Sequence, residues 1–137
     1  MRLVIGAACL LTAAGCSAGR PGARPGETLL RVTERDFHIS APKQVAAGDV
    51  RLSVRNRGPD SHELIVVRAR DSRLPLRRDG VTVDEEALER ATVGTLEPGA
   101  LGSSRELRIH LAPGRYVLLC NMSGHYLGGM HADFVVR

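Results

Sequence analysis

Cys120, His125 and Met130 follow one another at five-residue intervals in the stretch Cys120-Asn-Met-Ser-Gly-His125-Tyr-Leu-Gly-Gly-Met130. A thiol, an imidazole and a thioether on one short loop make a soft donor set. Glycines at 124, 128 and 129 let the chain reach φ > 0 and bend sharply, so all three side chains can turn inward on one point. Such a set suits copper. Two His and one Cys in a plane, with a long axial Met, form sites that carry single electrons. Thiolate and thioether favour Cu(I), imidazole serves both oxidation states, and a rigid scaffold keeps the geometry through the change. One more imidazole is required from upstream. His62 is the candidate, standing first in an apolar run just after a turn.

Rival donors exist. Met122 is a second sulfur, but it sits two residues after Cys120, where sharing one ion is harder. His38, His110 and His131 are expected on the surface or in structural roles. Zinc is the rival metal, although structural zinc prefers four-coordinate Cys and His sets without Met. Cysteine usage supports ligation. Cys9 and Cys16 fall in the leader region, leaving Cys120 alone in the folded part, where it has no partner for an internal disulfide and needs burial or a metal.

Upstream, Met1-Arg2 precedes twelve mostly apolar residues, Leu3 to Ala14, too short to span a bilayer and fitting for a signal peptide. The stretch Leu11-Thr-Ala-Ala-Gly-Cys16-Ser17 resembles a bacterial lipobox, with Ala13 in place of the more usual Leu. Residues 1–15 are therefore expected to be a lipoprotein-type signal peptide and Cys16 a lipidation site. The following Pro/Gly-rich run makes 16–26 a flexible tether, and 27–137 remain for one domain. The chain has 137 residues, 43% of them apolar and 25% charged, so that domain can bury a core. Aromatic residues are only 3%, so that core is expected to consist of Val, Leu, Ile and Ala. A formal charge of +4 with scattered arginines gives no nucleic-acid signature.

The elements that must position the donors read as short strands with turn punctuation, the pattern of an all-β sandwich. Leu29–Val32 and Asp36–Ile39 suggest one opening strand with a bulge. Val50–Asn56 alternates, with Val50, Leu52 and Val54 inward. Asn56–Asp60 is a turn, and His62–Arg68 a strand that begins with the histidine. Residues 69–91 read as an insertion outside the sheets, with a short helix at Asp84–Arg90. Asp84 would cap that helix, Glu85 and Glu86 suit its N-terminal end, and Glu86–Arg90 is an i,i+4 pair. Its acidic face is expected to be solvated surface. Thr92–Leu96 is a weaker strand and Glu97–Ala100 a turn. Arg105–Leu111 alternates again, with Leu107, Ile109 and Leu111 inward. Tyr116–Cys120 and Phe134–Val136 are the strands on either side of the donor loop, for about seven in all.

Taken together, Asn56-Arg-Gly-Pro-Asp-Ser-His62-Glu-Leu, Pro113-Gly-Arg-Tyr-Val-Leu-Leu-Cys120, Gly124-His125 and Gly129-Met130 resemble the cupredoxins, the blue-copper family. The Cys-x4-His-x4-Met spacing is similar to that of the rusticyanin and sulfocyanin branch and of small exported bacterial cupredoxins. The resemblance spans about residues 27–137. It implies a Greek-key β-sandwich with one type 1 copper at one end, held by His62, Cys120, His125 and Met130. One departure stands out. Where many blue-copper proteins have Asn or Ser after the first His, to steady the ligand loops by hydrogen bonding, this chain has Glu63. Strand alternation places Glu63 on the side opposite His62, but a carboxylate turned to the copper would favour Cu(II).

The function expected from the residues and the resemblance is one-electron transfer through the His125 edge. The protein is expected to be exported, tethered by lipid to the outer face of the cell membrane or in the periplasm, monomeric, and to work with redox partner proteins at the membrane surface. The alternative is a copper-binding module for storage or delivery. Delivery modules use exposed Met/His clusters, whereas this loop is closed and mixed. An enzyme in the manner of the multicopper oxidases needs a second copper centre, which one domain with five His, two of them in the motif, does not supply.

Overall fold

Alternation of apolar and polar residues along β4 (Gly48–Asn56) buries Val50, Leu52 and Val54 at 0–1% exposure, and Asn56 with them. The computed structural model describes Gly22 and residues 24–137. The signal peptide at 1–15, Cys16 and most of the 16–26 tether lie outside the described residues. β4 pairs in parallel with β1 (Thr28–Arg35) on one side. On its other side it pairs antiparallel with β7 (Ser104–Leu111). β2 (His38–Ser40) folds back on β1, completing a sheet of order β2-β1-β4-β7.

The second sheet has the order β3-β9-β8-β5-β6. Its members are β3 (Gln44–Val45), β5 (His62–Arg68), β6 (Thr92–Gly99), β8 (Gly114–Leu119) and β9 (His131–Val136). The chain crosses between sheets after β2, β3, β4, β6 and β7, which gives the expected Greek-key sandwich. Leu30, Val32, Leu52, Val54, Leu64, Val66, Leu118 and Phe134 fill the space between the sheets, with Cys120 and Met130 in the same cluster. Burying each large apolar side chain contributes about 1.5–3 kcal/mol, so the sandwich is a stiff frame for whatever its ends carry.

Among the described residues nine strands form where about seven were expected. The opening segment is a hairpin, not one bulged strand: Thr33 faces Ser40 and Arg35 faces His38, with Asp36-Phe37 at the turn. β3 pairs only two residues with β9 and leaves no periodic trace in the sequence. β6 runs through Glu97-Pro98 to Gly99, where a turn was expected. It is an edge strand, so the missing N–H of Pro98 leaves no gap in the ladder.

The 69–91 insertion lies outside both sheets but covers the outer face of the second one. Leu74 and Val83 pack with Ile65, Val67, Val117, Leu119 and Tyr126 into a second core. Its helix, α1 (Glu85–Leu88), is one turn long, with the Asp84 carboxylate accepting from the N–H of Ala87 at 3.1 Å. The helix stops short of Arg90, and the ion pairs of the described residues do not include Glu86–Arg90.

Candidate metal centre

β5 starts with His62 and β8 ends at Leu119, so the first histidine and Cys120 arrive side by side at one end of the second sheet. His62 and Cys120 are fully buried and His125 is 9% exposed. One donor atom from each lies within 4.8 Å of the others. Nδ1 of His62 is 3.3 Å from Nδ1 of His125, which is 3.5 Å from Sγ of Cys120. Bonds from an ion to nitrogen or sulfur measure about 2.0–2.3 Å, so two donors sharing one ion stand less than about 4.6 Å apart. Both measured separations satisfy that limit.

The loop between Cys120 and β9 is closed by its own backbone. His125 N–H donates to Met122 O at 2.9 Å, Met130 N–H to His125 O at 3.0 Å, and Cys120 N–H to Met130 O at 3.1 Å. Met130 is thus tied to both other loop donors and is fully buried in the core that holds Cys120. Gly124 (φ 80°) and Gly129 (φ 102°) occupy the left-handed region where a side chain would be strained. Gly128 does different work: a Cβ there would stand 3.1 Å from the Phe37 ring. Phe37 covers His125 edge-on, with ring centroids 5.0 Å apart, while remaining 46% exposed.

Three supporting side chains were not legible as such in the sequence. Asp36 Oδ1 lies 2.7 Å from Nε2 of His62. Nε2–H donates to that carboxylate, which leaves the Nδ1 lone pair facing the centre. Asn56 donates to Asp60 O at 2.7 Å and Gly99 O at 2.8 Å and accepts from Gly58 N–H at 2.9 Å, fixing the turn ahead of His62. Asn121 donates its side-chain amide to Val83 O at 3.0 Å and Glu85 Oε1 at 2.7 Å, which ties the insertion to the residue after Cys120. A turn-forming Asn at 56 was the available sequence signal; Asp36 and Asn121 gave none.

Glu63 is half-buried, and its Oε1 accepts the backbone N–H of Asn121 at 3.0 Å. Its carboxylate is thus spent on steadying the strand end beside Cys120. Burial, then Glu85, pushes its pKa up, while the Asn121 N–H opposes the rise. His38 and His110 are exposed, His110 beside Asp49 at 2.9 Å, and the His131 ring lies tilted against Tyr126 with centroids 5.3 Å apart. None of the three joins the cluster. Met122 packs against the main core.

The centre's electrostatics are those of a dry pocket. Burial pushes the Cys120 thiol up to about 11, with the Met122 N–H opposing. Burial lowers the His62 pKa against the pull of Asp36, with His125 adding to the fall. Two imidazoles and a thiol in one buried cluster form a soft donor set that suits copper and gives a hard cation nothing to prefer.

No protein-family model matches the chain, and no curated protein matches it in sequence. Solved structures do match. A reduced auracyanin from the photosynthetic bacterium Roseiflexus castenholzii superposes with a TM-score of 0.60 at 20% identity, covering 80% of this chain and 97% of that one. Auracyanin A, a "blue" copper protein from Chloroflexus aurantiacus, gives 0.61 at 16% identity, covering 82% and 100%. Rusticyanin from Thiobacillus ferrooxidans gives 0.58 at 14% identity, covering 80% and 78%. At such identities the likeness speaks to architecture, and in architecture this chain has the cupredoxin fold.

Proposed function

We propose that this protein carries single electrons through one type 1 copper held by His62, Cys120, His125 and Met130. The observation that carries the reading is the buried convergence of the His62 and His125 Nδ1 atoms with the Cys120 sulfur at 3.3–3.5 Å spacings. Bound copper would supply a Cu(I)/Cu(II) couple. The chain's own residues do the rest. Asp36 and the Asn56 turn hold His62, the loop hydrogen bonds hold Cys120 against Met130, and the two packed cores prevent the donors from relaxing apart. Water is kept out by burial, and His125 under the Phe37 edge is the ligand nearest the surface. Storage or delivery of copper is less well served, since a buried donor set is slow to exchange its ion.

The test is the absorption and EPR spectrum of the Cu(II)-loaded chain beside a Cys120→Ser control. An intense thiolate-to-copper band with narrow hyperfine splitting, lost in the control, is expected. Copper bound without a thiolate band would exclude the carrier reading and favour delivery.

Export and tethering belong to the same reading. The stretch Leu11–Ser17, with Cys16 as acceptor, supports a lipid anchor, and no helix among the described residues is long and apolar enough to cross a membrane. Mass spectrometry of the N-terminal peptide would settle it: a diacylglyceryl Cys16 supports the anchor, and an unmodified cleavage product rules it out.

A further inference from the structure

We propose that the pole of the sandwich opposite the metal centre docks on an anionic phospholipid surface through Arg68, Arg70 and Arg115. β5 runs from His62 at one pole to Arg68 at the other, and β8 runs back from Gly114 to Leu119 beside Cys120. Six residue steps at about 3.3 Å separate the poles by about 20 Å. At the far pole, Arg68, Ala69, Arg70, Gly114 and Arg115 line a concavity of about 380 Å³.

Its cations stand on ordered backbone. Arg68 is anchored, donating to Pro113 O at 2.8 Å and lying 5.8 Å over the Tyr116 ring. Ala69 N–H donates to Arg115 O at 3.2 Å and Arg68 N–H to Ala91 O at 2.8 Å, so the arginines stand on fixed backbone. Arg70 and Arg115 are exposed and take part in no ion pair among the described residues. Asp71, next to Arg70 in the chain, is paired with Arg73 at 3.0 Å. The guanidinium forks of Arg70 and Arg115, around a shallow cavity, match lipid phosphates, which accept paired N–H donors.

The path of the chain selects a membrane over other anionic partners. β1 starts at this same pole, where Thr28 faces Val50, and exposed Arg24 lies just before it. Cys16 is eight residues before Arg24, so an acyl chain there could stand at most about 29 Å from Arg24. That point rests on the anchored reading; the arginine concavity does not. Docked this way, the domain presents its metal end to the aqueous side, away from the lipid.

The test is vesicle co-sedimentation of the chain from Ser17 onward, which contains every strand and both cores. It needs no metal, so failure of the copper reading and failure of this one are distinguishable. Binding is expected to vesicles of phosphatidylcholine with phosphatidylglycerol and not to phosphatidylcholine alone, and it should weaken as salt is added. An arginine near an anionic surface strengthens partition about fivefold, so Arg70→Gln with Arg115→Gln should weaken it roughly thirtyfold. Arg55→Gln with Arg57→Gln, at the metal pole, should leave it within about twofold. Equal binding to both vesicle types, equal loss in the two double variants, or no binding to anionic vesicles at low salt would each overturn the proposal.

Discussion

The carboxylate of Asp36 and the imidazole of His62 meet at 2.7 Å, across the turn of the first hairpin and the first residue of β5. The bond fixes the ring's tautomer and orientation, and its negative charge makes Nδ1 a better donor to a higher oxidation state. Asp36→Ala is expected to weaken Cu(II) affinity about 10–100-fold. Asp36→Asn keeps an acceptor oxygen without the charge, so it should cost less affinity and raise the reduction potential. Voltammetry beside a competitive copper titration would check both. An unchanged potential in Asp36→Asn would mean that the carboxylate acts only as a brace.

Copper uptake should depend on pH through Cys120. Burial holds its thiol up to about 11, yet the ligand is the thiolate, so each ion bound must release that proton. Below about 11 the apparent binding constant should rise tenfold per pH unit from this group alone. Burial holds His62 below its ordinary value, so it adds less slope near neutral pH than a free imidazole would. Competition titrations between about pH 6 and 8 should show the slope, and Cys120→Ser should flatten it. A pH-independent affinity would mean that the metal does not take the sulfur.

Much of the sandwich was legible because its central strands repeat an elementary signal. Val50, Leu52 and Val54 alternate with polar neighbours, and β5 begins at the histidine that the turn before it announces. The loop donors were legible because they sit close in sequence between two strands. What escaped depends on contacts made at a distance. Asp36 is 26 residues from His62, in a hairpin whose second strand has three residues and no useful period. Pro98 reads as a turn until the strand around it is known to lie at a sheet edge. Glu63 was placed on the right side by alternation, but its N–H partner at Asn121 lies across the strand end.

Gly58 lets Asp36 reach His62. A Cβ added at position 58 would stand 2.3 Å from Asp36 Oδ1, 2.9 Å from Asp36 N and 3.1 Å from Nε2 of His62. Two of these neighbours form the supporting hydrogen bond and the third is backbone, so the site cannot yield without breaking it. Gly58→Ala is expected to destabilise the fold by about 1–3 kcal/mol and to lower copper affinity as Asp36→Ala does. Gly22→Ala, with nothing within 4 Å of the added carbon, is the neutral control. Urea unfolding and copper titration of the two variants would check it, and wild-type affinity in Gly58→Ala would show that Asp36 has another approach.

Glu34 is fully buried on β1, paired with Arg105 of β7, and its Oε1 has no hydrogen-bond partner. Burial pushes its carboxyl from 4.5 up to about 7; Arg105 pulls it down and Glu63 adds a smaller push upward. An acid whose folded pKa is raised keeps its proton longer in the folded state than in the unfolded one. Stability is therefore greatest below the unfolded value and falls as pH rises from 4.5 to about 7. At 1.36 kcal/mol per unit the loss from this group is roughly 3 kcal/mol at most. Glu34→Gln holds the neutral shape at every pH, so its unfolding free energy should decline less over that interval than the wild type's. Urea unfolding at a series of pH values measures the difference directly. Parallel pH profiles would show instead that Arg105 keeps Glu34 ionised throughout, and in that case the substitution would destabilise the protein at every pH by stranding the guanidinium.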